Sequence, residues 1–154
     1  MFSVPVCLLQ EAVTEFASRA SEKLHKQDCH TSQVLVFFWT KSFRQQVKQY
    51  FHSKVVPLRR PTDDNRAISQ AALMGLANNY KPGYRYAKAG VMLLARNDAR
   101  VDQWELALEE TAALLRETGG PRMMQALDAV KERYGRGALL LAIAGLACDL
   151  RVWA

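Results

Sequence analysis

A chain of 154 residues is one ordinary domain, or a domain with a small appendage, and its 49% hydrophobic content is enough for a core and excludes global disorder. The 21 Lys and Arg against 15 Asp and Glu leave a net charge of +6, which suits a polyanionic partner better than an acidic-seeking or neutral one. The surplus is uneven: residues 1–100 carry 15 basic against 7 acidic side chains and residues 101–154 carry 6 against 8, a break that divides the chain near residue 100.

The N-terminal "MFSVPVCLL" has no basic n-region and runs into Glu11 and Glu15, so no signal peptide is expected. "FSVPV" (2–6) is available as a first strand. In "LLQEAVTEFASRASEKLHKQ" (8–27), Leu9, Val13, Phe16, Ala17, Ala20 and Leu24 recur at helical spacing, with Glu11, Glu15, Arg19, Lys23 and Lys26 mostly outside that stripe, which predicts an amphipathic helix. "QVLVFFWT" (33–40) is β-branched and aromatic and apolar on both faces, the pattern of a central strand. "SKVVPL" (53–58) is a second strand whose Pro57 argues for an edge or an end. Thr62, Asp63 and Asp64 then offer N-cap oxygens to a helix carrying Ile68, Ala72, Leu76 and Tyr80 at four-residue steps, broken by "KPG" (81–83). "YRYAKAGVML" (84–93) is the next strand. Its alternation sends Ala87, Ala89, Val91 and Leu93 toward the helices and Tyr86, Lys88 and Gly90 to the other side. The expected fold is therefore α+β: a four-stranded antiparallel βαββαβ sheet with two helices on one face and the other face open. A small, mostly helical appendage follows, in which "RMMQALDAVKERY" (122–134) is amphipathic and stops at Gly135.

No catalytic or metal-binding constellation emerges. There is no phosphate-cradling GxxxxGK[ST], His25, His30 and His52 lack ligand spacing, and Asp63 and Asp64 read as caps. Cys7, Cys29 and Cys148 show no CxxC spacing, so reduced thiols are the simplest expectation, with no metal and no cofactor. The apolar run 138–148 is too short for a membrane span. The positive signal is basic. From Cys29 to Thr62 there is no Asp or Glu, while Lys41, Arg44, Lys48, Lys54, Arg59 and Arg60 are present among aromatics. Each lysine alone fits a solvated loop; together with Arg85 and Lys88 they suggest a phosphate-contacting face. Past the sheet, "QWELAL" (103–108) has the form of a short groove-docking peptide, and equally that of a helix start with Trp104, Leu108 and Leu115 as core.

The stretches "LQEAVTEFASRASEKL" (9–24), "VLVFFWTKSF" (34–43), "VPLRRPTDDNRAI" (56–68), "YRYAKAGVML" (84–93) and "RMMQALDAVKERYGRG" (122–137) together resemble the C-terminal half of a UmuC-type Y-family DNA polymerase, the error-prone translesion class of the SOS response. The resemblance implies a little-finger domain over 1–95 that grips primer–template duplex through its open sheet face. It implies a linker over 96–120 with a candidate sliding-clamp peptide at Gln103, Trp104, Leu106 and Leu108, and a small UmuC-like C-terminal domain over 121–154. The expected DNA contacts are Lys41, Arg44, Lys54, Arg59, Arg85 and Lys88; a UmuD-like subunit is a further expected partner, and the cytoplasm the expected location. The sequence departs from the family pattern at Trp39, where a basic residue is common, and at Arg59 and Arg60, where apolar ones are usual. The catalytic domains of that family have no counterpart here, so the chain is expected not to polymerise DNA. A clamp-binding module, or a relic with no independent role, are the alternatives.

Overall fold

The computed structural model describes residues 6–40, 48–100, 120–135 and 138–139. Their order is α1 (Val6–Lys26), β1 (Cys29–Thr40), β2 (Phe51–Thr62), α2 (Asn65–Asn79), β3 (Tyr86–Asp98) and α3 (Gly120–Tyr134). The three strands form one antiparallel sheet in the order β2–β1–β3. The expected four-stranded sheet thus stands as three strands among the described residues. Of the segment 2–6 only Val6 is described, and it begins α1 rather than a strand.

β1 is the central strand, paired with β2 on one side and β3 on the other. Its inner residues Val34, Val36 and Phe38 are all fully buried beneath the helices. They meet Leu9, Val13, Ala17 and Leu24 of α1 and Ile68, Ala72 and Leu76 of α2 in one core, with Ala89, Val91 and Leu93 of β3 packed at its side. The predicted α1 stripe holds at Leu9, Val13, Ala17 and Leu24; Ala20 is half-buried and Phe16 exposed, while Thr14 and Ser21 are buried, the Ser21 hydroxyl donating to the Asp63 carbonyl at 2.8 Å. Asp64 caps α2, its carboxylate accepting from the Arg66 amide at 2.8 Å, as the run of oxygen-bearing residues required. The helix then lies close against the sheet at Gly75, where an added Cβ would stand 3.1 Å from Val36 Cγ2 and 3.2 Å from Val56 Cγ2. Pro57 lies within β2, the outer of the three strands among the described residues, and pairs with Gln33 of β1.

The third helix extends the predicted segment to Gly120, with Pro121 near its first turn, where a proline is tolerated. It is tied to α1 by three polar contacts far apart in sequence. Lys131 Nζ donates to Glu22 Oε1 at 2.8 Å and to Ser18 Oγ at 3.0 Å, and Asp128 Oδ2 lies 2.5 Å from His25 Nδ1. The His25 Nε2 meets the Asp63 carbonyl at 2.8 Å, so one imidazole joins α1, the start of α2 and α3. Cys29 is a free thiol. No helix among the described residues is long and apolar enough to cross a membrane.

Candidate nucleic-acid interface

Cross-strand partners share one face of a sheet, so the register lays out the surface opposite the helices row by row. Phe51, Trp39 and Lys88 form one row, then Ser53, Phe37 and Gly90, then Val55, Leu35 and Met92, then Pro57, Gln33 and Leu94. Two features of this surface differ from a phosphate rail. Its centre is apolar, and three of its large hydrophobic side chains are well exposed: Phe51 at 66%, Met92 at 50% and Val55 at 39%. Its aromatics are also ordered against one another. Phe37 stacks on Trp39 with ring centroids 5.4 Å apart and planes 18° apart, and Trp39 meets Phe51 at 5.9 Å.

Gly90 explains how Phe37 is held. A Cβ there would stand 2.9 Å from Phe37 Cε2 and closer still to Cζ, so the ring leans from β1 onto the bare backbone of β3. Any larger residue at 90 would push that ring off the sheet. The small residues of "YRYAKAGVML" thus serve a neighbouring aromatic, in addition to leaving the surface low.

Of the expected basic contacts, Lys88 stands on this face, exposed, with Nζ 5.7 Å from the Trp39 ring centroid. Arg59 is exposed toward the end of the edge strand, continuing the alternation beyond Pro57, and Arg85 is exposed just before β3. Lys54 does not join them. It pairs with the buried Val36, which places it on the helix side of the sheet at the exposed edge. Lys41 and Arg44 lie outside the described residues, as do Gln103, Trp104, Leu106 and Leu108 of the candidate clamp peptide.

Tyr86 also departs from the simple alternation. Trp39 pairs with Lys88 but Thr40 pairs with Tyr86, so Ala87 is an extra residue in β3. This bulge turns Tyr86 inward, where it is 7% exposed, and leaves Ala87 outside. The inward turn is stabilised by the Tyr86 hydroxyl, which donates to the Lys81 carbonyl at 2.8 Å while accepting from the Lys81 amide at 3.0 Å. The ring meets Phe38 edge-on at 5.3 Å. Burial pushes the Tyr86 phenol above its ordinary value of 10.0.

Among the described residues no group of three or more His, Cys, Asp and Glu could hold a metal ion. The surface offers shape, π-faces and a few cations, which suit binding more than covalent chemistry.

A family model described as the impB/mucB/samB family C-terminal domain matches residues 6–106. The chain is 32% identical over 139 residues to the protein UmuC of Salmonella typhimurium and 33% identical over 140 residues to the protein MucB of the same species. It is 32% identical over 139 residues to the protein ImpB, also of Salmonella typhimurium. Each alignment covers 90% of this chain but only 32%, 31% and 32% of the relative, so the chain spans about a third of the length of these curated relatives.

Proposed function

The chain belongs to the impB/mucB/samB family, through its UmuC-type C-terminal domain, and on that premise we propose that it is a DNA-binding module of error-prone translesion synthesis. In this reading it holds primer–template duplex against the open sheet face and carries out no polymerisation itself. The observation that supports it most is the charge of that face. The segment from Cys29 to Thr62, which supplies two of the three strands, contains no carboxylate; Arg59 stands exposed on β2, and Lys88 and Arg85 stand exposed on and just before β3. Contacts to phosphates position a protein on DNA without reading its sequence, so the binding is sequence-independent and salt-sensitive.

Residues 1–95 form the binding unit in this proposal, 96–120 a linker and 121–154 a small C-terminal unit. Partners proposed on family grounds are a sliding clamp, through Gln103, Trp104, Leu106 and Leu108, and a UmuD-like subunit, all in the cytoplasm. A peptide of residues 100–110 should bind a sliding clamp, and the double change Gln103→Ala with Leu106→Ala should abolish that binding. The DNA reading is tested by fluorescence anisotropy of a labelled primer–template duplex. Lys88→Glu and Arg85→Glu should each weaken binding at low salt, and unchanged affinity in both would refute the assigned face.

A further inference from the structure

We propose that the open sheet face takes single-stranded nucleic acid by stacking unpaired bases on Phe51, Trp39 and Phe37. This rests on reading the face as a nucleic-acid surface and goes beyond it, because the ligand is the π-face of an unpaired base rather than the phosphates of a duplex.

The apolar centre of the face limits what can bind there. Phosphates gain nothing from Leu35, Phe37 and Met92 and would lose hydration over them. The bases of an intact duplex are hidden from a flat sheet, since their faces are stacked on one another. An unpaired base has a free aromatic face, and stacking on protein aromatics is the general mode by which single strands are held without sequence preference. Here three rings lie in adjacent positions of neighbouring strands, in ring-to-ring contact at 5.4 and 5.9 Å. Phe37 is fixed in place by its seat on Gly90, and Phe51, at 66% exposed, presents most of its surface to solvent. A platform already ordered loses little side-chain freedom when a ligand arrives.

Charge selects a polyanion over other apolar-seeking partners. The Lys88 ammonium stands 5.7 Å from the Trp39 ring centroid, where it can meet the phosphate of a base stacked on that ring. The two strands that supply the aromatics carry no carboxylate at all, and the acid of β3, Asp98, is at its far end, paired with Cys29. A second copy of this chain would have to bring one Lys88-bearing surface against another, so like charges oppose that arrangement.

The experiment compares oligothymidylate, which has no base pairing, with a duplex of equal length on the full chain. Trp104→Phe and Trp153→Phe are introduced so that emission reports Trp39 alone. Binding of both probes is read by the anisotropy of a fluorescent label on the nucleic acid, and oligothymidylate should bind and also quench the Trp39 emission. Phe51→Ala and, separately, Trp39→Leu should weaken its binding about tenfold or more, while duplex affinity changes less than twofold. Phe51 lies outside the core, so an unchanged melting temperature verifies that its variant is folded. Lys88→Glu, which leaves the rings in place, should weaken both probes. Equal losses on both probes from the aromatic variants, or no loss on the single strand, would overturn base stacking while salt-sensitive duplex binding kept the phosphate grip. Failure of both probes would remove both readings. Concentration-dependent self-association that Phe51→Ala abolishes, with no quenching by oligothymidylate, would reassign the face to protein contact and overturn the proposal.

Discussion

The two faces of β1 are made from nearly the same chemistry and are put to different ends. Val34, Val36 and Phe38 point inward and are sealed under α1 and α2, whereas Leu35, Phe37 and Trp39 point outward and are only partly covered. Apolar area removed from water stabilises the fold by roughly 25 cal/mol per Å². An outer face that forgoes part of that gain keeps its surface for something that arrives later. Hydrophobicity alone therefore does not separate core from interface in this sheet; the side on which the helices lie does.

Substitutions that strike one face at a time separate the two roles. Phe38→Ala empties the centre of the core and should destabilise the protein by about 3–5 kcal/mol in denaturant unfolding. Phe51→Ala, its counterpart on the exposed side, should cost less than about 1 kcal/mol. Equal costs would mean that the outer face is as much a part of the folded core as the inner one.

Gly90→Val is intermediate, because it damages the outer face by overpacking rather than by exposure. The added branches meet the Phe37 ring, and the expected loss is about 1–3 kcal/mol. Combining it with Phe37→Ala should recover part of that loss, and simple additivity in the double-mutant cycle would contradict the seat described for Phe37.

A smaller effect concerns how firmly α3 closes over the helix side. Lys131 and Glu22 have side chains only 9% and 19% exposed, so Glu22→Gln leaves a largely buried ammonium without its countercharge. Hydrogen exchange across 122–134 should accelerate several-fold, with exchange in β1 unaltered. Acceleration in both would mean that α3 and the sheet open together.

The smallest effect appears only in alkali. Below the ordinary tyrosine value of 10.0 the Tyr86 phenol is neutral in both folded and unfolded chains, and its contribution is intact. Above it the unfolded chain ionises first, because burial holds the folded phenol higher, so stability falls as pH rises through the folded value. Tyr86→Phe should remove that alkaline component of the loss while forfeiting the two bonds to Lys81 at neutral pH. An identical alkaline decline in the variant would place its origin elsewhere.

Much of the fold was legible because local and global signals agree. The apolar run marked β1 as central, Pro57 argued for an edge or an end and β2 is the outer strand among those described, and Thr62, Asp63 and Asp64 marked the start of α2, with Asp64 its cap. The open-face position of Lys88 was legible from the clean alternation of residues 88–93 that follow it, and the reading failed on its other side, where alternation breaks. Tyr86 is turned inward by a bulge that depends on Lys81 and Phe38, contacts no period-2 reading can foresee. Lys54 could have been placed correctly: it stands two residues before Val56, and one face cannot hold Val56 in the core and Lys54 on the open side. The aromatic row was also visible in Leu35, Phe37 and Trp39 at two-residue steps. Helices expected on one face only, combined with a strand apolar on both, already implied an exposed apolar surface.

The central claim is that the face opposite the helices binds nucleic acid, and the most direct measurement is the salt dependence of duplex affinity for the unaltered chain and for Lys88→Ala. The account predicts a log–log slope equivalent to several released counterions, reduced by about 1 in the variant. Affinity that ignores salt, or a slope that Lys88→Ala leaves where it was, would contradict it.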